Sequence, residues 1–130
     1  MGVKIKTDSI WDAPLTQAAG NGHLETAKSL LLRGAKIDTQ DNDKDTPLHD
    51  ASSQGKTDLV QLLLQCGANQ EIRDNKGKTA EDDANNDETG EVFSKYREKR
   101  EQSQNELLQQ AIDENNYDVA MILIFRGASG

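Results

Sequence analysis

The sequence predicts an all-α fold, a solenoid of stacked helix pairs with hairpin fingers along one edge, and three observations carry that prediction. The chain matches itself at a spacing of 33 residues. Residues 13–38, "APLTQAAGNGHLETAKSLLLRGAKID", lie over residues 46–71, "TPLHDASSQGKTDLVQLLLQCGANQE", which pairs Pro14 with Pro47, Leu15 with Leu48, Ala18 with Ala51 and Gly34-Ala35 with Gly67-Ala68. Within a unit, a narrow apolar stripe and then a broad one recur at helical spacing, with a glycine between them. Only 34% of the 130 residues are hydrophobic and 4% aromatic, too little for one large compact core, which leaves either a partly disordered chain or a thin core spread along a repeating stack.

The single domain, residues 1–130, divides into units of about 8–40 and 41–73, a degenerate 74–100 and a partial 101–130. The second unit shows the grammar best. Thr46 is placed to cap a helix, with Pro47 in its first turn where a missing N–H costs nothing. Leu48 and Ala51 make the narrow stripe, Gly55 allows the reversal, and Leu59, Val60, Leu62, Leu63 and Leu64 give the second helix its broad apolar face. Gly67 ends that helix in the left-handed conformation. The polar stretch that follows turns at residues 75–77 and suits a projecting hairpin.

The third unit opens on "DNKGKTAEDDA" and puts Glu81 where the second has Leu48. Its second helix offers only Val92, Phe93 and Tyr96 to a core. A long polar helix over residues 89–104 is expected, supported by Glu91 and Lys95 four apart, and the stack should be weakest over residues 79–105. The fourth unit, "ELLQQAIDENNYDVAMILIFRGAS", keeps the pattern at Leu108, Ala111, Val119, Leu123 and Gly127-Ala128, but at an offset of 27 from the third where 33 is regular. The register at both ends suggests a piece of a longer array.

With "TPLH" and "GA" at the right spacing and repeated at 33, the chain resembles the ankyrin-repeat family over nearly its whole length. The resemblance implies an elongated stack that binds other proteins on its concave side, made of finger tips and the exposed side of the first helices. Carried onto this chain, that surface includes Trp11 and Asp12 from the first finger, Asn42, Asp43 and Asp45 from the second, and Arg73, Asn75, Lys76 and Lys78 from the third. The first helices add Gln17, Gly20, Asn21, Asp50, Ser53, Gln54 and Asp83. Trp11 admits two readings, a partner contact at a finger tip or a cover over the apolar edge of the stack. "TPLHDA" followed by "KGKTAEDDA" also resembles ankyrin domains of chromatin-associated proteins, some of which hold a histone-tail lysine in an acidic groove.

Several chemistries are weighed and set aside. Asp41, Asp43 and Asp45 stand at the first, third and fifth places of a calcium loop, but the sixth place is Thr46 where glycine is needed, and the twelfth is Ser52 where a bidentate glutamate is needed. "KGKT" lacks the earlier glycine of a phosphate loop, since Ile72 stands there. His23 and His49 read as structural histidines bonded between adjacent loops. One cysteine, no histidine pair at ligand spacing and no nucleophile–base arrangement leave no material for zinc or for catalysis, so no metal, no cofactor and no enzyme activity are expected.

A net charge of −8 and a pI near 4.7 disfavour direct nucleic-acid binding and favour a basic partner. The longest apolar run, residues 120–125, is far too short to span a bilayer. No secretory leader is legible, and the lone Cys66 points to an intracellular setting, cytoplasmic or nuclear. The expected function is therefore a non-catalytic scaffold or adaptor module that binds a basic protein or peptide segment on an acidic concave face, with no membrane and no small-molecule substrate. Two alternatives stand beside it, a histone-tail-binding module of a chromatin or co-repressor complex and a targeting domain of a larger enzyme or effector.

Overall fold

The computed structural model describes residues 10–97 and 103–126. The start of the first unit, residues 98–102 and Gly127-Ala128 lie outside them. Among the described residues there are seven α-helices, one 3-10 turn and no strand. The helices are α1 (Asp12–Asn21), α2 (Leu24–Leu32), α3 (Pro47–Ser53), α4 (Thr57–Gln65), α5 (Asp87–Arg97), α6 (Gln104–Asp113) and α7 (Tyr117–Phe125), and the turn is Glu81–Asp83.

The second unit folds as its residues dictate. Thr46 sits in extended backbone and its hydroxyl accepts from the His49 N–H, while Pro47 opens α3. The α4 stripe, Leu59, Val60, Leu62, Leu63 and Leu64, is wholly buried. Each such side chain contributes about 1.5–3 kcal/mol over its exposed state. The first unit has Ala13 in place of the capping threonine, and there the helix starts two residues earlier, with Trp11 at its N-cap and Pro14 inside the first turn.

The α1–α2 pair, the α3–α4 pair and the 3-10 turn with α5 form three consecutive rungs. Helices α1 and α3 pack side by side with the 3-10 turn against α3, while α4 packs on α2 and α5. Rung two meets rung three through side chains: the Ser52 hydroxyl donates to Ala80 O at 2.6 Å, and the hydroxyls of Thr57 and Thr89 lie 3.0 Å apart. The third rung's first helix is reduced to the 3-10 turn Glu81–Asp83, none of whose residues is buried. With Glu81 in place of a core leucine, only the flanking alanines, Ala80 buried and Ala84 half-buried, hold that segment to the core. Its second helix is better seated than its composition suggests, because Thr89, Phe93 and Tyr96 are all buried.

Two expectations are corrected. The polar helix over residues 89–104 does not run through Gln104: α5 is described from Asp87 to Arg97, and Ser103 takes extended backbone and caps a new helix, its hydroxyl accepting from the Glu106 N–H. The fourth unit does form the expected helix pair, but α6–α7 is not a further rung in line. It folds back over the second-helix side of the stack, where α7 packs on α2 and Asn116, at the start of α7, donates from Nδ2 to Oε1 of Gln65 on α4 at 3.4 Å. Lys28 of α2 closes this seam with an ion pair to Asp118 at 2.9 Å, and Asp118 accordingly holds the ammonium's pKa above its usual value.

Gly67 serves this fold twice. Its φ of +91° ends α4, and a Cβ there would meet Gln104 Nε2 at 2.9 Å and Leu107 Cδ1 at 3.3 Å, so any larger residue would push α6 away. The seam is imperfectly satisfied. Three buried side-chain atoms lack a hydrogen-bond partner among the described residues, Tyr96 Oη, Gln104 Oε1 and Arg126 Nε. Gln104 and Arg126 border one cavity beside Gly67, and Tyr96 faces Leu107 and Val119.

Candidate functional site

The fingers are built by one aspartate each. Asp41 Oδ1 accepts from the N–H groups of Asp43 and Asp45 at 2.9 and 3.0 Å, and its N–H donates to Asp45 O. Asp74 does the same one unit on, accepting from Lys76 and Lys78 at 2.9 and 3.0 Å, with its N–H on Lys78 O. These two amides favour the carboxylate and hold the Asp74 pKa below its usual value. The tips need a left-handed residue, which Gly77 supplies at φ +77° and Lys44 supplies, unusually for a side chain, at φ +65°. Consecutive fingers are tied together, the Asn75 N–H donating to Asp43 O at 3.0 Å.

His49 locks this arrangement from below. Its Nδ1 accepts from the Thr46 N–H at 3.1 Å and lies 2.8 Å from the Thr46 hydroxyl, and its Nε2 donates to Lys78 O at 2.9 Å. The expectation of a histidine bonded between adjacent loops is met here. It is not met at His23, which is exposed and whose side chain caps no N–H of α2.

Above His49, a cavity of about 320 Å³ is lined by Asp43, Asp45, Asp50, Asp74, Asp83, Lys76 and Lys78. Carboxylate oxygens of Asp45, Asp74 and Asp83 and a ring nitrogen of His49 lie within 4.8 Å of one another. Both nitrogens of His49 are already engaged in the protein. Asp41 Oδ1, in the neighbouring group Asp41, Asp43 and Asp45, is likewise occupied by two amides. Burial, followed by the charge of Asp41, pushes the Asp45 pKa up to about 6; burial, followed by the charges of Asp41 and Asp45, does the same to Asp50. Beside this cavity runs an open groove of about 900 Å³ between α1 and α3, bordered by Gln17, Gly20, Asn21, Asp41, Asp50 and Gln54.

Of the residues expected on the binding face, the structure thus brings Asp43, Asp45, Asp50, Lys76, Lys78 and Asp83 to one cavity and Gln54 to the adjoining groove. Asp83 comes from the 3-10 turn and not from a helix. Asp12 borders the same groove, but it is only 6% exposed and its Oδ1 accepts from the Lys36 N–H at 2.8 Å. Trp11 borders neither space. It packs against the core at the start of α1, with the Arg33 guanidinium 5.6 Å over its ring. Asp74 was missed, although it stands 33 residues after Asp41 and takes the same place in its finger.

A pH dependence follows. Asp45 and Asp50 have folded pKa values above those of the unfolded chain, so the folded state binds more protons between about pH 4 and 6. Their contribution to stability is therefore fully present below about pH 4 and is lost as pH rises through about 6. Asp74 and Asp82, whose values are lowered, act only below that window. Asp45→Asn with Asp50→Asn should raise stability at pH 7.5 by about 1 kcal/mol after solvent screening and flatten the melting temperature between pH 5 and 7.5. An unchanged pH slope in the double variant would show that the two carboxylates do not repel their neighbours.

Three rungs of antiparallel helices joined by projecting turns make this a short helical-repeat solenoid, the class of protein that binds along an extended face. The family model for ankyrin repeats, in three copies, matches residues 15–92. That is more than half of the chain, and the chain belongs to the ankyrin-repeat family. The match begins inside α1 and stops within α5, before the back-folded α6–α7 pair. No curated protein matches the sequence. Ankyrin repeats imply a protein–protein interaction module, and no helix among the described residues is long and apolar enough to cross a membrane.

Proposed function

We propose that the chain is a non-catalytic adaptor that holds a basic segment of a partner protein on its concave face, over the cavity between the second and third fingers. The observation that carries this reading is the gathering of Asp43, Asp45, Asp50, Asp74 and Asp83 around one open space. None of these five is the partner of Lys28, whose ion pairs are with Glu25 and Asp118. An ammonium or guanidinium entering there gains several charge-assisted hydrogen bonds and relieves repulsion already present. Lys76 and Lys78 at the rim favour a segment in which the basic residue is flanked by neutral or acidic ones. The buried free thiol of Cys66 supports an intracellular setting, cytoplasmic or nuclear.

The test is isothermal titration of basic peptides, histone-tail sequences among them, at low and high salt. Asp45→Asn with Asp50→Asn should weaken the best peptide by more than about 2 kcal/mol if the cation is desolvated, against about 0.2–1 kcal/mol for an exposed pair. Asp113→Asn, on α6, should leave binding unchanged. Trp11→Ala should lower the melting temperature and leave affinity alone, since its ring packs against the core and under Arg33. No peptide bound at about 100 μM in low salt would remove the histone-tail reading. Equal losses from the groove and α6 variants would remove the groove itself.

A further inference from the structure

The α6–α7 pair repeats the helix-pair pattern of rung two at an offset of 60, Ala111 over Ala51 and Leu123 over Leu63. Two side chains of rung two meet the next rung through their hydroxyls, Ser52 and Thr57, and Leu64 at the end of the same unit is 3% exposed. At the same register α6–α7 carries Ile112, Tyr117 and Ile124. There they stand open, 45, 62 and 44% exposed, with Met121 and Phe125 at 48 and 66%. On α7, Tyr117, Met121, Ile124 and Phe125 fall at helical spacing as one stripe, opposite the buried Val119, Ala120, Ile122 and Leu123. A helix apolar on both sides is ordinarily covered on both, and here the stack covers only one.

What covers this type of face in the same molecule is known, because α5 does so in rung three. It is an amphipathic helix whose buried side holds Thr89, Phe93 and Tyr96 at spacings of four and three. Charge selects among occupants. The four acidic residues of α6–α7, Glu106, Asp113, Glu114 and Asp118, are all exposed, and only Asp118 is in an ion pair, with Lys28. Arg126, its one basic residue, is half-buried beside Asp38. A second copy would bring the same acids and a further net charge of −8 against this rim.

We propose that the outward face of α6–α7 is a second docking surface, separate from the concave groove, for an amphipathic helix of a partner protein whose apolar stripe is flanked by lysine or arginine. The partner helix takes the place that α5 takes on α4. Ile112, Tyr117 and Ile124 meet its stripe, and Glu106, Asp113 and Glu114 meet its flanks. The apolar contact gives affinity, and the charged rim gives orientation and on-rate.

The probe is a designed helical peptide with Leu and Phe at the spacing of Thr89, Phe93 and Tyr96 and lysines on both flanks. It is compared with a glutamate-flanked counterpart and with a lysine peptide whose stripe is serine. Binding is followed by peptide fluorescence anisotropy on the full chain. The lysine-flanked peptide should bind about tenfold tighter than either counterpart, and Tyr117→Ser with Ile124→Ser should weaken it about tenfold. Both positions are exposed, and an unchanged melting curve will show that the variant is folded. Asp45→Asn with Asp50→Asn should leave this binding intact, so failure here is distinguishable from failure of the groove. Equal binding of all three peptides, loss through the groove variant, or a dimer of the chain that Ile124→Ser dissolves would each overturn the proposal.

Discussion

Replacing Phe93 with alanine should cost about 3–5 kcal/mol of stability, the largest effect of any single change to the third rung. Phe93 is 0% exposed and stands among the largest fully buried side chains. Its own rung offers little else: Tyr96 is buried with an unpartnered hydroxyl, Val92 is only half-buried, and the 3-10 turn ahead of it buries nothing. Urea denaturation followed by circular dichroism measures the loss. Should the alanine variant fail to fold, Phe93→Leu, expected to cost about 1–1.5 kcal/mol, keeps the comparison open. A loss under about 1 kcal/mol for alanine would mean that α5 is held by its ends and not by this ring.

His49→Ala should cost about 2–3 kcal/mol, because it strands the buried Thr46 N–H and the part-buried Lys78 carbonyl. Its readout differs in kind from that of Phe93. The ring joins the capping threonine of α3 to the third finger, so its loss should also loosen Asp74 and weaken any cation held in the cavity. His23→Ala, at an exposed position, should change neither property. Thermal melts with peptide titration of both variants decide the matter, and equal effects at the two histidines would show that the His49 bridge contributes nothing.

The features legible in the sequence are those set by neighbours within one unit. Thr46 and Pro47 announce a helix start, Gly67 an end, and the leucines of residues 59–64 a buried face, because each depends on backbone chemistry within a few residues. The carboxylates gathered at the cavity were partly legible for the same reason: the places of Asp43, Asp45, Asp50 and Asp83 follow from register alone. Asp12 did not, since its burial depends on the Lys36 N–H in a loop 24 residues away. The path of α6–α7 was the least legible. A helix-pair pattern states which residues are apolar and leaves open which neighbour buries them, and only the six residues missing before the fourth unit mark the break. The start of α6 was in principle readable, since Ser103 followed by Glu106 is a capping pair that a run of polar residues concealed.

The ion pair between Lys28 and Asp118 joins positions 90 residues apart. In an open array every unit touches only the next, so the ends fray separately and folding can begin anywhere. Here the last helix clasps the second helix of the first rung, and the chain becomes a closed circuit. The clasp forms only after everything between has been ordered, a long loop closure that slows folding. Once made, it ties the melting of the first rung to that of α7, so unfolding is driven toward a single all-or-none step.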